Sequence, residues 1–133
     1  MIETSWDDRV VEQAARDAIR EGRTKLRRSR MTIGAYNGFS GEVRVEADWL
    51  IKVAIELELI PKPGHCSVCG SEKGRIDYHA EDYSRPLQVA PICQSCHTVL
   101  HRRMSSRGWA ANWRQKVQDF GDGTKWFEFI PRS

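Results

Sequence analysis

The spacing of apolar positions changes along the chain, and each change marks a different predicted element. Val10, Val11, Ala14, Ala15, Ala18 and Ile19 recur three to four residues apart, the period that gathers side chains on one face of a helix. Ser5, followed by Asp8, predicts the amino-terminal cap of this helix, and Gly22 its end. From Arg23 to Gly41 the period is lost. Gly34, Asn37, Gly38 and Gly41 predict a loop or mobile arm carrying Tyr36 and Phe39. A second helix is predicted from Glu42 to Leu59, where Val43, Ala47, Leu50, Ile51, Ala54, Ile55 and Leu57 make a broad apolar stripe free of glycine and proline until Pro61 stops it. This stripe predicts the main core helix.

Pro61, Pro63 and Gly64 then turn the chain. Ile76–Tyr78 and Leu87–Ala90 read as two short strands around a polar turn, and a helix is expected after Cys96. Trp109, Trp113, Val117 and Phe120 return to helical spacing, Gly121 and Gly123 break it, and Lys125–Ile130 alternates like a closing strand. The predicted class is therefore α+β. A boundary near residue 61 separates a helical region, 1–61, from a second region, 62–133, and the 133 residues are expected to fold as one cooperative domain.

Composition changes this picture little: 40% hydrophobic and 29% charged residues are ordinary for a globular chain. No apolar run reaches the length of a membrane span, and the acidic start, Glu3–Asp8, is unlike a secretory leader, so the expectation is a soluble cytoplasmic protein with no membrane partner. The net charge of +3 is modest, but its distribution is uneven. Arg23, Lys25, Arg27, Arg28 and Arg30 crowd one segment, and Arg102, Arg103 and Arg107 form a second group. Such patches either meet phosphates or are solvated surface and connector.

The four cysteines form two Cys-x-x-Cys pairs, Cys66 with Cys69 and Cys93 with Cys96. In a reducing compartment this pattern favours metal over disulfides, and four thiolates suit tetrahedral zinc. Gly70 fits the tight turn after the first pair, although the interval from Cys69 to Cys93 is slightly longer than that of a usual zinc ribbon. Cys93 to His97 also has the Cys-x-x-Cys-His form of a haem attachment site, which would leave the first pair unexplained; a redox dithiol lacks its βαβ context. A closed four-thiolate site is structural, so any catalysis needs a second centre. His97 and His101 lie one helical turn apart, with His79 on the preceding strand, and three imidazoles can converge on one divalent cation. The alternative is that His97 caps the helix or lies beside the zinc while His101 is a surface residue.

The segment His65 to Arg103 resembles the HNH endonuclease family, in particular its small, often phage-encoded, four-cysteine members. The matching pieces are Cys66-Ser67-Val68-Cys69-Gly70, His79-Ala80-Glu81-Asp82-Tyr83-Ser84-Arg85-Pro86-Leu87-Gln88-Val89, and Ile92-Cys93-Gln94-Ser95-Cys96-His97, with Leu100-His101 behind. The resemblance implies a treble-clef-like ββα-metal unit with structural zinc. It also implies a separate catalytic divalent ion (Mg, Mn, Ni or Zn) held by His79, His97 and His101. It further implies cleavage of nucleic-acid phosphodiester bonds, DNA before RNA. Two positions depart from the family pattern: Ala80 stands where the general-base histidine belongs, and Gln88 where an asparagine orients that base. A register slipped by one would make His79 the base and Tyr78 a ligand, at the expense of the match at Asp82-Tyr83. Loss of a general base costs roughly 10²–10⁴ in rate. Two readings follow: an HNH-type nuclease, impaired at Ala80, or an inactive zinc-binding module that holds nucleic acid or a protein partner through its arginine-rich segments.

Overall fold

Helix α1 (Asp8–Arg20) begins where the Asp7 carboxylate accepts hydrogen bonds from the Arg9 and Val10 amides at 3.1 and 3.2 Å. Asp7 therefore caps the helix, and Ser5 does not, because the cap must lie immediately before the first helical residue to reach the orphan amides. Helix α2 (Gly41–Glu56) is capped by the Ser40 hydroxyl. Its first residue must be glycine, since a Cβ on Gly41 would lie 1.8 Å from the Ile33 carbonyl oxygen. These bounds come from a computed structural model, which describes residue 2 and residues 4–120. The expected strand Lys125–Ile130 lies outside the described residues, as do Gly121 and Gly123.

Both helices end in the same hydrogen-bonded motif. In α1 the Arg23 amide reaches back to the Ala18 carbonyl and the Gly22 amide to Ile19, with Gly22 at φ +68°. In α2 the Leu59 amide reaches Ala54 and the Glu58 amide reaches Ile55, with Glu58 at φ +58°. The second helix thus stops at Glu56, short of the predicted Leu59, because Glu58 turns left-handed before Pro61 can act.

The chain divides into two compact units. One comprises residues 4–62 and 80–89. Here α1 packs on α2, with Val11, Ala15 and Ala18 buried on the first and Val45, Ala47, Leu50, Ile51, Val53 and Ala54 on the second. The sequence stripe missed Val45 and Val53, and it included Val43, which is 40% exposed. Residues 23–35 form no helix or strand, and a single antiparallel bridge joins Tyr36 to Phe39. The 80–89 loop is tied down by polar contacts: Trp6 Nε1 donates to Leu87 O at 2.9 Å, and Arg85 makes a two-point ion pair with Asp8 at 2.8 and 3.0 Å.

The other unit comprises residue 2, residues 63–79 and 90–120. Strands β1 (Ile76–Ala80) and β2 (Val89–Cys93) form a two-stranded sheet, whose terminal residues Ala80 and Val89 pass into the helical unit. Both strands run further toward the carboxyl terminus than predicted, and Leu87, fully buried, belongs to the loop. Helix α3 (Gln94–Arg102) follows β2 without a linker and packs on α4 (Arg107–Phe120). It starts before Cys96 and so contains it. Val68, Ile92, Leu100 and Trp113 are essentially inaccessible and make the core of this unit. The described chain is thus α+β.

A left-handed glutamate costs about 1–2 kcal/mol that glycine does not incur, less the extra entropy glycine loses on folding. Glu58→Gly is expected to raise stability by about 0.5–1 kcal/mol and Gly22→Ala to lower it by a similar amount, both read as shifts in the urea midpoint at constant m.

Candidate functional site

The turn Cys66–Gly70 and the junction of β2 with α3 each present a thiol pair. Gly70 sits at φ +71°, and its amide closes the first turn on the Cys66 carbonyl at 2.9 Å. Cys66 Sγ accepts from the Val68 and Cys69 amides at 3.3 and 3.4 Å, and Cys93 Sγ accepts from the Cys96 amide at 3.5 Å. Cys93 is also the residue that caps α3. The Ser67 amide and hydroxyl both donate to the Pro91 carbonyl, at 2.8 and 2.6 Å, which holds the two turns together.

All four sulfurs lie within 4.8 Å of one another, and Cys69 and Cys93 are 3.7 Å apart. Four thiolates around zinc at about 2.3 Å would have sulfurs about 3.8 Å apart, so the cluster is compatible with a structural zinc ion. Three of the four cysteines are buried and none forms a disulfide. Burial pushes the Cys69 and Cys96 thiols above their usual range. Burial acts on Cys66 in the same sense, but the amide hydrogen bonds outweigh it and leave that thiol lowered.

A second group brings together three predicted residues. His79 lies on β1 and is 1% exposed; His97 and His101 lie one turn apart on α3 and are half-buried. His79 Nδ1 is 3.2 Å from His97 Nε2, which is 2.8 Å from His101 Nε2. Ligands at 2.0–2.1 Å from one ion sit about 2.8–3.4 Å apart for right-angle to tetrahedral geometry, so both of these spacings suit a shared ion. Imidazole nitrogens this close need a proton or a cation between them. His79 itself meets the two helical histidines, and burial raises the Tyr78 phenol so that it stays neutral.

The two groups differ in access. Four thiolates close the coordination sphere of one ion, whereas three imidazoles leave positions open. His97 and His101 line a cavity of about 440 Å³ together with Arg75, Asp77, Thr98 and Arg102. Arg75, Asp77 and Thr98 went unnoticed in the sequence. A signal existed: Arg75 and Asp77 alternate with His79 along the strand direction, and Thr98 follows His97 on α3.

The position after His79 carries only the buried methyl of Ala80. Glu81 is buried as well, and its carboxylate accepts from Tyr36 Oη at 2.5 Å while its carbonyl accepts from the Asn37 amide group at 2.8 Å. Asp82 accepts from the amide and hydroxyl of Ser84, the expected use of a turn aspartate.

The basic residues separate into classes. Arg103 is 3% exposed and donates to the Leu100 carbonyl at 2.6 Å, so the expected surface cation is an interior helix-end residue. Arg23 pairs with Glu21, and Arg28 donates to the Glu42 carbonyl. Alternate residues of the arm also meet α2, through Thr24 to Glu56 and Leu26 O to Trp49 Nε1. Lys25, Arg27, Arg30 and Arg107 are exposed and make no ion pair among the described residues.

No helix among the described residues is long and apolar enough to cross a membrane. The chain matches no protein-family model, no curated protein and no solved structure.

Metal binding must expel the protons of raised thiols, so affinity at the cysteine cluster should rise with pH and fall toward acid. Competition titration with a chromophoric chelator should give at least about tenfold weaker binding per pH unit below neutrality. Chelation, or Cys93→Ser, should abolish the near-ultraviolet dichroism of Trp109 and Trp113.

Proposed function

We propose that the chain is a zinc-stabilised HNH-type endonuclease in which His79, His97 and His101 hold the catalytic divalent ion. The observation that carries this reading is the convergence of the three imidazole nitrogens beside an open cavity, separate from the closed four-thiol cluster. The order β1, β2, α3 agrees with the ββα unit that the resemblance implies.

A divalent ion at the histidines supplies a Lewis acid that stabilises charge developing on a phosphodiester. The strand and helix carrying the ligands hold their rings before substrate arrives, and the cavity leaves one side open to it. The cysteine cluster acts at a distance, by fixing where α3 starts and hence which way His97 and His101 face. Ala80 cannot take a proton from attacking water, and the Glu81 carboxylate is already held by Tyr36, so no side chain stands ready as base at the usual place. Catalysis should be slower than that of a sequence with histidine there by roughly 10²–10⁴. Exposed Lys25, Arg27, Arg30 and Arg107 supply charge for nucleic acid, DNA before RNA.

Ala80 also favours a second reading: a scaffold that keeps its metals and binds nucleic acid without cutting it.

Plasmid nicking with added Mg²⁺, Mn²⁺ or Ni²⁺ tests the nuclease. Slow, metal-dependent nicking is expected, lost in His97→Ala and accelerated at least about tenfold in Ala80→His. Absence of nicking in the parent chain, with nicking recovered in Ala80→His, would establish the binding scaffold instead. Absence in both, with only one metal bound per chain, would end the metal-dependent nuclease reading.

A further inference from the structure

The cavity beside the histidines contains a cation whose orientation is already set. Arg102 is exposed, follows His101 directly on α3, and its guanidinium lies over the Trp109 ring with the carbon 5.0 Å from the ring centroid. Among the described residues no carboxylate pairs with it and no acceptor takes its guanidinium N–H groups. A ring contact of this kind takes none of the guanidinium hydrogen bonds, so the N–H donors along the edge of the planar group stay available. An edge of that kind suits two oxygens of one phosphate. The other guanidinium lining the cavity, that of Arg75, is occupied by Asp77 at 2.9 Å. The uncompensated positive charge at this mouth therefore belongs to Arg102.

We propose that Arg102, held by Trp109, binds a phosphodiester of the nucleic-acid strand next to the one at the histidine site. The proposal rests on the reading of the histidines as a nuclease metal centre and adds the second contact of the same strand. A cavity of about 440 Å³ exceeds what one phosphate fills, so a neighbouring nucleotide fits within it. Trp109 is a positioning residue: it restricts the guanidinium and touches no substrate.

The test uses the full chain loaded with zinc and Mn²⁺, and a fluorescent DNA oligonucleotide whose binding is followed by anisotropy from 50 to 300 mM salt. Arg102→Ala should weaken binding about five- to tenfold and reduce the slope of log K against log salt by about one. Arg102→Lys should keep the slope and recover only part of the affinity, because the charge remains without the fork. Trp109→Leu should weaken binding in the same direction with the slope kept. Dichroism and Mn²⁺ affinity identify any variant that fails through misfolding. If the parent binds DNA but cuts nothing, the nuclease reading fails and Arg102 is still judged by affinity and slope. Unchanged affinity and slope in folded Arg102→Ala, or no DNA binding by the parent, overturns the proposal.

Discussion

Cys93 does three things at once: it ends β2, caps α3, and presents a sulfur to the other three cysteines. Because α3 begins at the next residue, the place of Cys93 in the cysteine cluster bears on the angular position of every residue on that helix. His97 and His101 are the immediate beneficiaries. A unit with one two-stranded sheet and two helices, of which α3 has nine residues, has a modest apolar core, and small folds commonly gain stability from metals or cross-links. The cluster is accordingly the constraint from which the histidine geometry descends. Amide hydrogen bonds to Cys66 and Cys93 prepare two of the sulfurs for that role.

The two groups that could hold a metal ion are built by opposite physical means. The cysteines are mostly buried, their bonds to backbone amides repeat at each turn, and a single ion satisfies all of them. The histidines combine one buried ring with two half-buried ones that line a cavity, so an ion there would keep room for exchangeable ligands.

The loop from Glu81 to Gln88 adds a different kind of order. It contains no regular structure, yet Leu87 is fully buried, Asp82 and Ser84 build a turn, Arg85 pairs with Asp8, and Tyr36 holds Glu81. The conspicuous carboxylates of this loop are thus structural. A carboxylate engaged in a short buried hydrogen bond is poorly placed to accept a further proton.

Residue type and spacing in the sequence determined the helices, the four-cysteine set and the three histidines, because helical period and metal-ligand chemistry are local properties. Pro61 and the Leu87–Ala90 run misled, since a left-handed Glu58 and a buried loop leucine answer to backbone closure and packing that no periodicity encodes. The burial of Arg103, the capture of Glu81 by Tyr36 and the stacking of Arg102 on Trp109 were decided only in the tertiary structure. Whether a charged side chain is exposed, paired or stacked depends on which distant segment arrives beside it. The sequence determined which chemical groups are present, and the fold decided which of them remain available.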